Sequence, residues 1–478
     1  MMVEVGLILI PLLAAIIVWN MAPGIKRARV LPIVGLFHLA LLIAALGGTG
    51  HSGPGAWFRL DPLGGWILLV VSAVFILVAF YAPAYLVLRP ERDYRIFGIS
   101  LLGFLAMASL VAVSRHPGVL WVGMEAMTLV TTPLIYYNNN RRSLEATWKY
   151  LMICSVGMAL ALLGTFFLAY AADIGGMGEP LYFDRLVQAA PTFPPQWLRA
   201  AFVLLLVGYG TKMGLAPLHT WKPDVYSETP GIVGAVLSAG VTTCAFLALA
   251  RMLSILSAAG QGEFARGLLI LMGLVSMFWA FAFMVRQADL KRLLAYGGVE
   301  QAGALAIGLG IGGSGLEAAL FLVGAYALVK AALFLAAGNI QRAYGYRTVP
   351  EVSGILRRLP WTGWLFLLGF LASASSPPFG PFVGAFHLAT SALRGGKALA
   401  GGLFLALLAA IFLASSKAVL NAALGEAPQP PGTAAYRDTR GTIAPIAVAL
   451  AIALAMGLWM PRPLLGLLEQ AAAIVGAT

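Results

Sequence analysis

Long apolar runs, bounded by charges or turn residues, follow one another along the whole chain. They lie at about 4–20, 30–48, 63–88, 96–114, 117–137, 147–171, 199–216, 232–257, 265–285, 292–312, 316–340, 361–375, 398–422 and 441–460. A helix of about 20 apolar residues crosses the hydrocarbon of a bilayer. The pattern therefore predicts an all-α polytopic membrane protein of about 14 transmembrane helices. Gly and Pro inside the runs favour helices over a barrel, because in lipid a helix satisfies its backbone groups within one segment. Two runs are interrupted by proline: GLAPLHTWKPD, with Pro217 and Pro223, and SASSPPFGPFVGAFHLA, with Pro377, Pro378 and Pro381. Proline removes a backbone donor and clashes with the preceding turn. Each of these helices is expected to break and resume as a second short segment.

The breaks occupy matching places in two halves. Glu125 lies in Gly-Met-Glu-Ala and Glu300 in Gly-Val-Glu-Gln, and each is followed one span later by a lysine, Lys149 and Lys330. A broken helix comes next in both halves. Transporters built from inverted repeats carry one discontinuous helix per repeat beside the ion path. The expected division is residues 1–94, an N-terminal three-helix segment; 95–260, a first repeat broken near 217; 261–422, a second repeat broken near 378; and 423–478, a C-terminal helix. These are two inverted repeats of about five helices each.

Composition sharpens this picture. Of 478 residues, 60% are hydrophobic and 10% charged, where a soluble protein carries about 25% charged residues. A water-soluble enzyme is excluded. The net charge of +12 reads as loop charge facing the cytoplasm rather than as a nucleic-acid surface. With the N-terminus outside, the cytoplasmic loops hold 18 Lys and Arg, Lys222 among them, against 9 in the outer loops and C-terminal tail. That bias predicts a multi-pass membrane protein with both termini on the outer side, and the expected location is the inner (plasma) membrane of a prokaryote. Cys154 and Cys244 sit inside apolar runs, so neither a disulfide nor a metal cluster is expected. No haem, iron–sulfur or flavin ligands are recognisable, and no cofactor is expected. The charged loop after the eleventh run (Arg342, Arg347, Glu351, Arg357, Arg358) reads as a solvated face.

Glu125, Lys149, Lys212, Glu300, Lys330 and Lys417 lie within spans or at their edges. A charge at bilayer depth costs about 2.5–3.5 kcal/mol on the insertion scale, so such residues face a hydrated or paired interior and mark function. Structural alternatives exist: a paired carboxylate at Glu125, and snorkelling to a helix end for Lys149 and Lys417. Lys212 lies just before the first break and is hardest to explain that way. His219 and His387 flank the breaks, whereas His38 reads as a satisfied structural residue. Burial favours a neutral lysine and a nearby carboxylate favours a charged one. A lysine whose carboxylate partner moves can thus bind and release a proton. The expected proton-translocation set is Glu125, Lys149, Lys212, His219, Glu300, Lys330, His387 and Lys417.

WVGMEAMTLVTTPLIYYNNNRRSLEATWKYLMICSVGMALALLGT, LLVGYGTKMGLAPLHTWKPDVYSETPG and QADLKRLLAYGGVEQAG carry a resemblance that runs from about residue 65 to 420. There the chain resembles the antiporter-like membrane subunits of complex I and its relatives, which include multisubunit cation/proton antiporters and membrane-bound hydrogenases. SLEATWKYL followed by CSVG is most similar to hydrogenase-4 component F. The resemblance implies that Glu125 is the ion-pair glutamate, Lys212 the pumping lysine and Lys330 the lysine at the centre of the second half-channel. It implies a proton-translocating subunit, without a redox centre of its own, of a hydrogenase-4-like or complex I-like assembly. The implied partners are other membrane subunits and a soluble redox or metal-containing subunit. Three departures stand out. Cys244 replaces a second lysine of many relatives, Gln301 a histidine, and Ala385 an ionisable residue after the second break. His387 and Lys417 are therefore expected to provide an altered outlet. Two other readings remain: a structural membrane anchor with a decayed conduit, and a proton-coupled membrane subunit of an inorganic-carbon uptake system. Protons are expected rather than sodium ions, whose sites gather several oxygen ligands.

Overall fold

The computed structural model describes residues 2–48, 57–89, 92, 94–178, 180–345, 348–426 and 436–476. The described chain folds into helices, and its only β pairings are two isolated bridges, Phe58 with Ser114 and Asp289 with Thr348. Among the described residues, 11 helices are long and apolar enough to cross a membrane. Three of the 14 expected spans fall outside that number: Pro195–Met213, Leu290–Ile311 and Pro360–Ser373. The first carries Lys212 in its last turn, the second carries Glu300 and Gln301 among five glycines, and the third is only 14 residues long. Each helix that falls short of a plain lipid span holds a buried ionisable group or adjoins a break.

Helix starts near the site are set by side-chain caps. Asn140 accepts a hydrogen bond from the Ser143 backbone at 2.8 Å, and the Ser143 hydroxyl accepts one from the Asn140 backbone at 3.0 Å. This reciprocal cap opens Arg141–Ile174. Asp289 opens Leu290–Ile311 by accepting from the backbone of Lys291 at 2.8 Å and of Arg292 at 3.0 Å.

Gly231–Ala258 and Ser314–Tyr344 are the most enclosed helices and form the centre. A Cβ at Gly231 would lie 2.3 Å from the Phe334 carbonyl oxygen, so only glycine allows the two backbones to approach so closely. Met2–Asn20, Lys26–Gly47 and Ala398–Leu424 lie at the periphery and turn apolar side chains such as Leu13, Phe37 and Leu413 outward. That is where a bilayer would cover them.

Both breaks fall at the prolines. At the first, Gly214 ends Pro195–Met213 with φ 86°, and the chain resumes as Trp221–Glu228. The backbone groups freed there find side-chain partners, as buried polar groups must. Thr211 O accepts from Trp221 Nε1 at 2.9 Å, Met213 O from Lys222 Nζ at 2.6 Å, and Ala216 N donates to Ser276 Oγ at 2.9 Å. The second break joins Pro360–Ser373 to Gly380–Arg394.

Three further features bear on the sequence reading. His38 is satisfied within the bundle, its Nε2 2.9 Å from Ser109 Oγ and its Nδ1 3.2 Å from Ser72 Oγ. The charged loop is largely solvated, with Arg342, Glu351 and Arg357 exposed and Arg358 half-buried. Arg358 donates to the Ala343 carbonyl and lies 4.4 Å from the Tyr344 ring centroid, and Arg342 donates to the Leu88 carbonyl; Arg347 lies outside the described residues. Finally, Arg462–Gly476 is a 15-residue helix packed against Pro62–Leu86 and Ser314–Tyr344, where the sequence suggested only a tail.

Candidate functional site

In the first half, three helices converge on Lys212. It occupies the last turn of Pro195–Met213 and is 1% exposed, with Nζ 3.8 Å from Glu125 Oε2; the Glu125 side chain is 20% exposed. Lys212 also donates to Thr128 Oγ1 and stands 5.7 Å from the centroid of the Tyr150 ring. Glu125 and Thr128 are three residues apart on Pro117–Ile135 and share its face. Glu125 Oε1 accepts from Ser155 Oγ at 3.1 Å, while Oε2 is buried without a hydrogen-bond partner. Two unit charges at this separation attract by about 4 kcal/mol at an effective dielectric constant of 20. That is close to the cost of about 2.5–3.5 kcal/mol for one charge at bilayer depth. The attraction thus offsets about the cost of one of the two charges, and the hydrogen bond from Ser155 and the partial exposure of Glu125 help to hold the other.

In the second half, Lys330 projects from Ser314–Tyr344 onto Leu290–Ile311. Its Nζ donates to Leu294 O at 3.3 Å, and a Cβ at Gly297 would lie 2.4 Å from it. The glycine makes room for the ammonium. Glu300, on the same helix, is buried with Oε1 lacking a hydrogen-bond partner. Glu300 and Lys330 line one cavity of about 30 Å³ together with Ser373 and Ser415, room for about two water molecules.

The other expected residues are distributed differently. His219 is buried at the first break, its Nδ1 without a hydrogen-bond partner and its ring 6.4 Å from that of Tyr296. His387 is exposed and lines a separate cavity with Glu317, Trp459 and Glu469. Lys417 is exposed on Ala398–Leu424. Neither His387 nor Lys417 borders the cavity of Lys330. The cavity also holds the hydroxyls of Ser373, just before the second break, and of Ser415 on Ala398–Leu424.

Lys149 stands at the bundle surface. It is 43% exposed, 2.8 Å from Asp224 and 2.7 Å from Glu145, and Arg292 shares Asp224. These groups line a cavity of about 390 Å³ together with Glu228 and Asp289. Lys149 lies only two turns into its helix, and its long stem reaches surface carboxylates from there. Equal order along the two halves therefore does not make Lys149 the spatial counterpart of Lys330. Exposed pairs of this kind are worth about 0.2–1 kcal/mol, so Lys149→Ala is expected to change the transport rate by less than about fivefold. A loss as deep as that caused by removing Lys212, measured in the same vesicles, would restore Lys149 to the carrier set.

Lys222 is the residue that sequence reasoning missed. Counted among the loop cations, it is instead fully buried. Its Nζ lies 2.6 Å from Met213 O, 3.3 Å from Thr242 Oγ1 and 3.3 Å from Gly298 O. The available signal was its place in HTWKPD, inside a break whose freed carbonyls need donors.

Residues 114–412 match the family described as NADH:quinone oxidoreductase/Mrp antiporter, transmembrane. The chain is 33% identical over 368 residues to a hydrogenase-4 component F homologue of Methylacidiphilum infernorum (isolate V4), covering 75% of this chain and 77% of that protein. It is 31% identical over 381 residues to NADH-quinone oxidoreductase subunit N of Desulforudis audaxviator, covering 78% and 73%. Its fold matches a chain of the membrane-bound sulfane sulfur reductase, an archaeal respiratory membrane complex, with a TM-score of 0.88, 22% identity and coverage of 99% and 98%.

Proposed function

Because the chain belongs to the NADH:quinone oxidoreductase/Mrp antiporter family of membrane subunits, we propose that it translocates protons within a redox-driven complex of the hydrogenase-4 or complex I type. The observation that carries this reading is Lys212: a lysine enclosed in a membrane bundle, 3.8 Å from a carboxylate, in the turn before a broken helix. Glu125 and Lys212 serve the first half. Glu300 and Lys330, with water in their shared cavity, serve the second, and His219 lies at the first break. The ion cluster of Lys149, Asp224 and Arg292 forms a solvated mouth. The chain's own ionisable groups hold and hand on protons, while electrons travel in partner subunits.

Purification of the complex through a tag on this chain, followed by reconstitution into sealed vesicles, tests the reading. The expected result is co-purification of further membrane subunits and a soluble redox subunit. Turnover of that subunit should drive proton movement that a protonophore abolishes and that omission of sodium leaves unchanged. Turnover with no proton movement would make the chain a membrane anchor, the reading that Cys244 and Ala385 favour. A soluble partner devoted to inorganic carbon, with no redox centre, would replace the proposed driving reaction.

A further inference from the structure

Glu125–Lys212 and Glu300–Lys330 belong to different halves, and Lys222 contacts both the end of the helix that carries Lys212 and the helix that receives Lys330. We propose that Lys222 is the proton carrier that joins the two halves, an inference that rests on the translocation reading above. Its Nζ is 2.6 Å from the carbonyl of Met213, the residue after Lys212. On its other side it is 3.3 Å from Gly298 O, four residues along Leu290–Ile311 from Leu294, whose carbonyl receives Lys330. Four helical residues rise about 6 Å, so Lys222 and Lys330 address the same helix about one turn apart. Gly214 leaves space for the carrier, since a Cβ there would lie 2.6 Å from Lys222 Nζ.

The third contact of Lys222 is Thr242, the first residue after a π turn at Leu237–Val241 in the central helix. Such turns interrupt the regular ladder and are frequent at functional sites. Here the turn helps set the register that brings the Thr242 hydroxyl to the ammonium.

A purely structural account makes Lys222 a donor for the carbonyl that the first break frees at Met213. An amide or hydroxyl side chain would serve that purpose without a cation, whose burial at bilayer depth costs about 2.5–3.5 kcal/mol. All three hydrogen-bond acceptors of Lys222 Nζ are neutral: Met213 O, Thr242 Oγ1 and Gly298 O. Lys212 lies 3.8 Å from Glu125 and Lys330 shares a cavity with Glu300, whereas the contacts of Lys222 include no carboxylate. A proton placed on it is therefore not held there by an ion pair. In each cycle the Lys212 ammonium gives its proton to the Lys222 amine, directly or through water. The resulting Lys222 ammonium then passes it to the amine of Lys330, and each donor is left neutral.

The test uses the whole complex in sealed vesicles, with Lys222→Met and Lys222→Arg beside Lys212→Ala. Arginine keeps the positive charge and the hydrogen-bond donors but does not deprotonate in a protein. A capping role predicts that Lys222→Arg restores both assembly and transport. The carrier role predicts an assembled Lys222→Arg complex whose proton translocation is reduced about 100-fold, as in Lys222→Met. Transport at the parent rate in either Lys222 variant, with Lys212→Ala inactive, overturns the assignment of Lys222 and leaves the translocation reading intact. Parent-rate transport in all three variants overturns that reading itself. Failure of both Lys222 variants to assemble assigns the residue to the structure of the break and also overturns the proposal.

Discussion

Replacing Lys212 by alanine is expected to reduce proton translocation about 100-fold, the scale on which loss of a positioned acid–base group acts. The subunit should still assemble. Glu125 keeps its hydrogen bond from Ser155 at 3.1 Å and is partly exposed, so the substitution does not strand a fully enclosed charge. Glu125→Gln retains the Ser155 contact and removes the charge that faces Lys212 3.8 Å away. It should lower transport as well, by less than Lys212→Ala does, because the carrier itself remains. Lys212→Arg separates charge from proton exchange: the cation persists, but it does not release its proton. Transport by Lys212→Arg should therefore resemble Lys212→Ala rather than the parent. Acidification of sealed vesicles during turnover reports all three, and blue native gels of the same membranes report assembly. Parent-rate pumping in an assembled Lys212→Ala complex would remove Lys212 from the conduit.

The second large effect is expected at Lys330. Lys330→Met keeps the apolar volume against Gly297 and removes the donor to Leu294 O, and translocation should again fall about 100-fold. Glu300→Gln tests the other side of the shared cavity with a smaller expected loss. The decisive comparison is the double variant Lys212→Ala with Lys330→Met. Groups that act as one unit are strongly non-additive, so removing both costs about as much as removing one. If the halves work in series, each single variant and the double variant will show the same residual transport. Two independent conduits would instead leave about half of the proton flux in each single variant, and that result would refute the serial arrangement. Turnover of the redox partner, measured in parallel, separates loss of coupling from loss of the complex.

The membrane-embedded, all-helical character of the chain was legible in its residues, because hydrocarbon imposes the same demand on every segment: apolar side chains outside and a backbone satisfied within the helix. Both broken helices were legible for an equally local reason, since Pro217, Pro377 and Pro378 remove donors wherever the fold puts them. Glu125, Lys212, Glu300 and Lys330 stood out because a charge inside an apolar run is expensive in any bilayer. These are properties of single segments, and one segment at a time suffices to read them.

Burial is a property of neighbours, and only the tertiary structure decided it. Lys149 and Lys222 both lie near charges in the sequence, yet the first reaches Glu145 and Asp224 at the surface while the second is enclosed among Met213, Thr242 and Gly298. Their order along the chain carries no depth. Depth is set by the path of the broken helix, whose second segment turns back into the bundle and takes Lys222 with it. The same holds for the outlet of the second half. His387 follows the second break by a few residues, but the helix it sits on points it to a cavity with Glu317 and Glu469, away from Lys330. Close approaches such as Gly231 on Phe334 fix how the central helices cross, and that crossing determines which ionisable groups meet.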